Sequence, residues 1–129
     1  MIVGLGLDVT ELDRIGAAYE RHGERFLDRI LTKAEREKMP ERPVPFLAAR
    51  FAAKEAGAKA LGTGFQDGIS HQDFEVTADE KGKPLLRFHK EAQTRAKALG
   101  VTHIHVSITH GRDVAVAVVV LEARNACND

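Results

Sequence analysis

The opening residues Met1-Ile2-Val3-Gly4-Leu5-Gly6-Leu7-Asp8-Val9 are apolar apart from Asp8, and this short run predicts a strand over residues 2–9. Alternation sets Ile2, Gly4, Gly6 and Asp8 on one side, so a carboxylate follows two positions without side chains and space opens beside it. Polar positions take over at Thr10-Glu11-Leu12-Asp13, where Thr10 is placed to cap a helix running to about Arg21. Gly23 interrupts, and Glu24 to Leu31 resumes the helical pattern. Thr32-Lys33-Ala34-Glu35 has the capping-box form of a further short helix, ended by Pro40, Pro43 and Pro45.

The longest helix is predicted from about Phe46 to Leu61, stopped by Gly62-Thr63-Gly64. Leu47, Phe51, Ala58 and Leu61 make an apolar stripe with Lys54 near its middle and with Glu55 and Lys59 along one margin. Alanines at 48, 49, 52, 53, 56 and 60 leave the remaining surface small-sided, so neighbours can approach on several sides and the helix is expected to be central. Gly57 costs about 1 kcal/mol relative to Ala in mid-helix, which predicts a close neighbour there, most simply another helix.

Downstream, the pattern gives a strand over Asp73–Ala78, a turn through Asp79-Glu80-Lys81-Gly82-Lys83-Pro84, a strand over Leu85–Phe88 and a helix over Lys90–Leu99. Val101 to His110 then alternates, with Ile104, Val106 and Ile108 on one face and His103, His105, Ser107 and Thr109 on the other. Val114 to Leu121 is almost wholly apolar, as suits a strand covered on both faces. The sum is one α+β domain over residues 1–122, a mostly antiparallel sheet packed on a long central helix, followed by a polar tail over 123–129.

Composition adds boundaries. A chain of 129 residues can bury roughly two thirds of its unfolded surface without disulfides or structural metal. The single cysteine, Cys127, has no internal partner, which points to a reducing, cytoplasmic compartment. The apolar start is too short to span a bilayer and has no basic region before it, so it reads as a strand rather than a signal, and no membrane partner is expected. Lysines and arginines number 19 against 19 acids, with no tryptophan and one tyrosine, which argues against nucleic acid as a partner.

Candidate chemistry gathers at few places. The space beside Asp8 suits a ligand, a closely packed helix backbone, or simply the start of the next helix. Glu55 and Lys59, at i and i+4, meet on one helix face. That is either a surface ion pair worth a few tenths of a kcal/mol or part of a site, since charges beside a buried face need compensation. Taken together, Asp8 and Glu55 offer the oxygen ligands a hard cation such as magnesium prefers, and Lys59 can neutralise a phosphate gripped by the same ion. Gly62-Thr63-Gly64 either ends the helix or lets backbone amides approach a phosphate or adenine. His103 and His105 share a strand face that fits zinc, but no cysteine or third ligand stands near them. Arg14, Arg21, Arg25 and Arg29 follow at intervals of seven, four and four, aligned if helix continues through Gly23. Interleaved with Glu20, Glu24 and Asp28, they form either a solvated face or a docking patch for an acidic protein.

The motifs Gly4-x-Gly6-x-Asp8-x-Thr10-Glu11-Leu12, Arg50-Phe51-Ala52-Ala53-Lys54-Glu55-Ala56, Lys59, Gly62-Thr63-Gly64, Gly82-Lys83-Pro84 and His105-Val106-Ser107-Ile108-Thr109-His110, with Arg14, span nearly the whole chain. In this order and spacing the chain resembles the 4'-phosphopantetheinyl transferase superfamily, and within it the holo-(acyl-carrier-protein) synthase group. The resemblance implies that family's fold, a homotrimer with active sites between subunits, and magnesium as the metal. It also implies transfer of the phosphopantetheine arm of coenzyme A to a serine of apo-acyl carrier protein for fatty-acid synthesis, with release of adenosine 3',5'-bisphosphate. By position, Asp8 and Glu55 would hold the ion with the coenzyme's pyrophosphate, and Lys59 would contact the phosphate under attack. Arg50, Lys54, Gly62, Thr63, Gly64, Ser107, Thr109 and His110 would lie near the coenzyme, and Arg14, Arg21 and Arg25 would meet the carrier. The serine proton would pass to metal-bound water or to Glu55. Competing readings are a phosphohydrolase, which needs a second acid cluster the sequence does not show, and a binding module docking by its arginines.

Overall fold

The computed structural model describes residues 1–125, so Cys127 lies outside the described residues. The chain runs β1 (Ile2–Glu11), α1 (Leu12–His22), α2 (Glu24–Ile30), α3 (Lys33–Glu37), α4 (Val44–Ala60), β2 (Phe74–Ala78), β3 (Pro84–Phe88), α5 (Lys90–Ala98), β4 (His103–His110) and β5 (Val114–Glu122). All strand pairs are antiparallel, forming a three-stranded sheet in the order β1-β5-β4 and a β2-β3 hairpin. This is the expected α+β arrangement. No helix among the described residues is long and apolar enough to cross a membrane.

The apolar alternation of β5 explains the layering. Ala115, Ala117, Val119 and Leu121 are buried on the side facing α4, a helix whose own alanines are buried almost all round. Such small facing residues let helix and sheet approach closely. The opposite side departs from the expectation that β5 is covered on both faces. Val116, Val118 and Val120 are only half-buried, and their neighbours Leu5, Leu7 and Val9 on β1 are 66%, 57% and 59% exposed.

Three local expectations are corrected. Thr10 caps no helix: β1 pairing continues through Thr10↔Ala115 and Glu11↔Val114, so Thr10 stays buried in the strand, its hydroxyl donating to Asp8 Oδ2 at 2.6 Å. The long helix starts earlier than Phe46 because Pro45 is accommodated in its first turn, where no intrahelical amide donor is required. Gly57 makes room for the Phe74 ring of β2 rather than for a helix, since a Cβ there would stand 3.0 Å from Phe74 Cε1. Of the readings open for the space before Asp8, the closely packed helix backbone is the one present: Cβ atoms at Gly4 and Gly6 would lie 2.2 Å from the Ala60 carbonyl oxygen and 1.9 Å from that of Ala56.

The capping box is present as read: Thr32 Oγ1 accepts from the Glu35 amide and Glu35 Oε1 from the Thr32 amide. Gly23, with φ of 53°, breaks the arginine-bearing segment into two helices, so the four arginines do not share one continuous helix.

Candidate active site

The two glycines that press β1 against α4 also place the first acid. Gly4 meets Ala60, and Gly6 meets Ala56 and Ala60, so the strand descends the helix toward its N-terminus. Two strand residues advance roughly 6.6 Å and a helical turn roughly 5.4 Å, so continuing this register sets Asp8 near Ala52, three residues before Glu55 on α4. Side chains on a helix lean toward its N-terminus, and Lys59 leans back accordingly. Its Nζ donates to Asp8 Oδ1 and to the Leu7 carbonyl, both at 3.1 Å. The i, i+4 pairing of Glu55 with Lys59 is thus replaced by a contact between strand and helix. Asp8 is nearly enclosed while the Lys59 side chain keeps 55% of its exposure, so the ammonium remains open to a ligand.

Glu55 opens into a cavity of about 560 Å³ between α1, α2 and α4, bordered by Arg14, Arg29, Phe51, Phe65 and His71. Its Oε2 faces His71 Nε2 at 3.4 Å. Arg14 reaches this wall with its guanidinium 5.8 Å from the Phe51 ring centre. Arg25 lines a smaller hollow next to it with His22, Phe26 and Arg29. Arg21 is exposed outside both. Arg36 binds Asp28 at 2.5 Å and also Glu24, so two of the acids interleaved with the arginines are drawn toward α3.

The expected coenzyme contacts divide. Arg50 and His110 line a second cavity of about 400 Å³ with Arg42, Phe46, Gly82 and Pro84, sharing no residue with the first. The Arg50 guanidinium stacks 3.8 Å from the Phe46 ring centre, its Nε is buried with no hydrogen-bond partner, and burial lowers its pKa against the opposing pull of Glu35. Ser107 and Thr109 point to the other, exposed side of β4, opposite Val118 and Val116.

Lys54 is corrected: it is fully enclosed, its Nζ donating to Glu35 Oε1 at 2.6 Å and to the Ile30 carbonyl at 2.5 Å, and it therefore belongs to the core rather than to a ligand surface. Burial lowers its pKa, with Glu35 opposing. The amides of Gly62 and Gly64 bond the Lys59 and Ala58 carbonyls, so those two donors end α4, and the Thr63 hydroxyl donates to the Gly64 carbonyl. The phosphate-cradle alternative loses those donors.

Residues 4–119 match the model of the 4'-phosphopantetheinyl transferase superfamily. The chain belongs to this family. It is 58% identical over 123 residues to the holo-(acyl-carrier-protein) synthase of Maridesulfovibrio salexigens, covering 95% of this chain and 99% of that protein. It is 50% identical over 126 residues to the synonymous enzyme of Alkalilimnicola ehrlichii, covering 95% and 98%. Among solved structures it resembles the holo-(acyl-carrier-protein) synthase of Neisseria meningitidis with a TM-score of 0.86 at 37% identity over 95% of this chain and 99% of that one. The Helicobacter pylori synthase in complex with coenzyme A matches with a TM-score of 0.82 at 30% identity, covering 92% and 99%.

Asp8 and Glu55 are the two carboxylates from which the expected metal would draw its protein ligands. Among the described residues no group of three or more His, Cys, Asp or Glu is arranged to hold an ion. That fits magnesium, which is commonly held by one or two carboxylates with water and substrate phosphate completing its shell. It does not fit a structural zinc site at His103 and His105, where His105 instead bonds Glu122 at 2.9 Å.

Sequence reasoning missed four residues at these places. The local pattern of Thr10 matches a helix cap, and that of Glu35 gives only half of a capping box. Arg42 and His71 carry no local pattern, because each joins its site through a loop or short turn whose path the periodicity does not encode.

Proposed function

We propose that this chain transfers the 4'-phosphopantetheine group of coenzyme A to a serine hydroxyl of apo-acyl carrier protein, releasing adenosine 3',5'-bisphosphate. The observation that carries the reading is the contact of Lys59 with Asp8, a half-exposed cation on a nearly enclosed carboxylate, on the helix that also carries Glu55. Phosphoryl transfer needs positioning and charge neutralisation more than covalent catalysis, and these groups supply both. Asp8 and Glu55 would hold magnesium, which when bound polarises the pyrophosphate and lowers the pKa of a coordinated water. Lys59 would neutralise charge on the phosphate under attack. Glu55, at the cavity wall, is one acceptor of suitable chemistry for the serine proton, and water is the other.

Arg50 and His110 supply a second anion-binding place. A half-buried arginine whose Nε lacks an acceptor suits a phosphate of the coenzyme. Arg50 and His110 line a cavity that shares no residue with the one Glu55 lines, and joining the two places on one coenzyme is a task that copies of the chain could perform together. The uncovered apolar face of β1 and β5 is suited to that assembly, and a homotrimer with sites between subunits is the form we adopt. Arg14, Arg21 and Arg25 would receive the acidic carrier, and a cytoplasmic enzyme of fatty-acid synthesis follows.

The test is direct. Incubation with coenzyme A, magnesium and an apo carrier should add one phosphopantetheine mass to the carrier, and Glu55→Gln should abolish that gain while leaving the chain folded. An unmodified carrier with the parent chain, with and without magnesium, would refute the reading.

A further inference from the structure

Glu55 has a neighbour to which the proposed reaction assigns no role. His71 lies in the short turn His71–Asp73 just before β2 and is almost fully buried. Its ring stacks with Phe65, centres 4.0 Å apart and planes at 19°, and with Phe51, centres 5.3 Å apart and planes at 18°. Two aromatic contacts in nearly the same plane orientation leave the imidazole little rotational freedom. Its Nε2 is buried without a hydrogen-bond partner at ordinary geometry, and the polar group it faces is Glu55 Oε2, 3.4 Å away.

A glutamate with three side-chain torsions, standing one turn before Lys59 and on the same cavity wall as Arg14, has competing cations within reach. Turning to either would take it from the metal that the proposed reaction assigns to it with Asp8. We propose that His71 is a positioning residue for Glu55, donating Nε2–H to one carboxylate oxygen and leaving the other for the metal and phosphate. The neutral ring suffices, and no proton is exchanged. The inference rests on the function proposed above and deepens it by naming what holds one of its two acids. Groups that orient a metal-binding side chain commonly matter nearly as much as the side chain itself.

His71→Phe keeps a flat ring for the stack and removes the donor, whereas His71→Gln restores an N–H near the same place. With Mn²⁺ as the probe, free ion read by electron paramagnetic resonance, His71→Phe is expected to bind about tenfold more weakly than the parent. It should melt no lower, because it also removes a poorly partnered buried nitrogen, and its KM for carrier should not change. His71→Gln should recover part of the affinity. Equal Mn²⁺ binding by parent and His71→Phe overturns the inference, as does a His71→Gln no better than His71→Phe, or a loss of affinity that tracks a lower melting temperature. These outcomes are separable from the function itself: a parent chain that modifies no carrier refutes the transferase reading, while full modification by parent and His71→Phe with equal Mn²⁺ binding refutes only the role of His71.

Discussion

Lys59 Nζ stands 3.1 Å from Asp8 Oδ1, joining a strand residue to a helix residue 51 positions away. This contact leaves the ammonium half-exposed, so it is placed for a ligand rather than for the core. Replacing Lys59 by Met should lower the transfer rate by about a hundredfold or more, the usual scale for losing one preorganised charge-stabilising group. Far-ultraviolet circular dichroism should stay unchanged, and rates read from the mass of the modified carrier give the number.

Glu35 is a structural counterpart of that pair. It receives Lys54 Nζ at 2.6 Å and the Val76 amide at 2.9 Å in a fully buried setting. Glu35→Ala strands the Lys54 ammonium and should cost about 3–5 kcal/mol in urea unfolding. The double replacement Glu35→Leu, Lys54→Met should recover a large part of this, because no buried charge is left.

Much of this arrangement was legible in the sequence. The 3.6-residue pattern of α4, the period-2 pattern of β4 and the unbroken apolar run of β5 define the elements, and Gly4-x-Gly6-x-Asp8 marks the strand that meets the helix. What periodicity does not carry is which partner a side chain finds. Lys54 and Lys59 have the same chemistry five residues apart, yet one is enclosed by Glu35 and the other reaches Asp8. Only tertiary packing decides between them. His71 and Arg42 were silent for the same reason, and β5 read as two-sided because composition records that a face must be covered without saying by what.

Gly6 has no tolerance for a side chain. A methyl group would sit 1.9 Å from the Ala56 carbonyl oxygen, and the neighbour is backbone that cannot rotate away. Gly6→Ala should destabilise the fold by about 3 kcal/mol, the upper range for overpacking. Denaturant midpoints measure this, and transfer activity should fall with it as Asp8 is pushed from α4.

Arg14 and Arg21 should differ in effect. Arg14 lines the cavity that holds Glu55, and Arg21 does not. Charge reversal of Arg14 should therefore raise the KM for carrier more than reversal of Arg21. Both effects should shrink in high salt, where exposed charges are screened within about 10 Å or less. Steady-state kinetics across an ionic-strength series would settle the order.

Glu122 gives a pH signature. Its hydrogen bond from His105, then that from Arg124, hold its carboxyl at about 2, below the ordinary 4.5. A depressed folded-state value means the contribution is present above the ordinary pKa and is lost as pH falls from about 4.5 toward 2. His105→Ala removes the largest cause, so the difference in urea midpoint between parent and variant should be greatest at neutral pH and narrow across that acid range.

The meeting of β1 with α4 at Gly4 and Gly6 is main chain against main chain. Side chains elsewhere in the interior can exchange rotamers or be swapped for others of similar volume without altering that distance. The carboxylate of Asp8 is therefore registered to the helix by parts that sequence drift cannot trim, and the enzyme's geometry should survive extensive divergence everywhere except at the two positions that have nothing to lose.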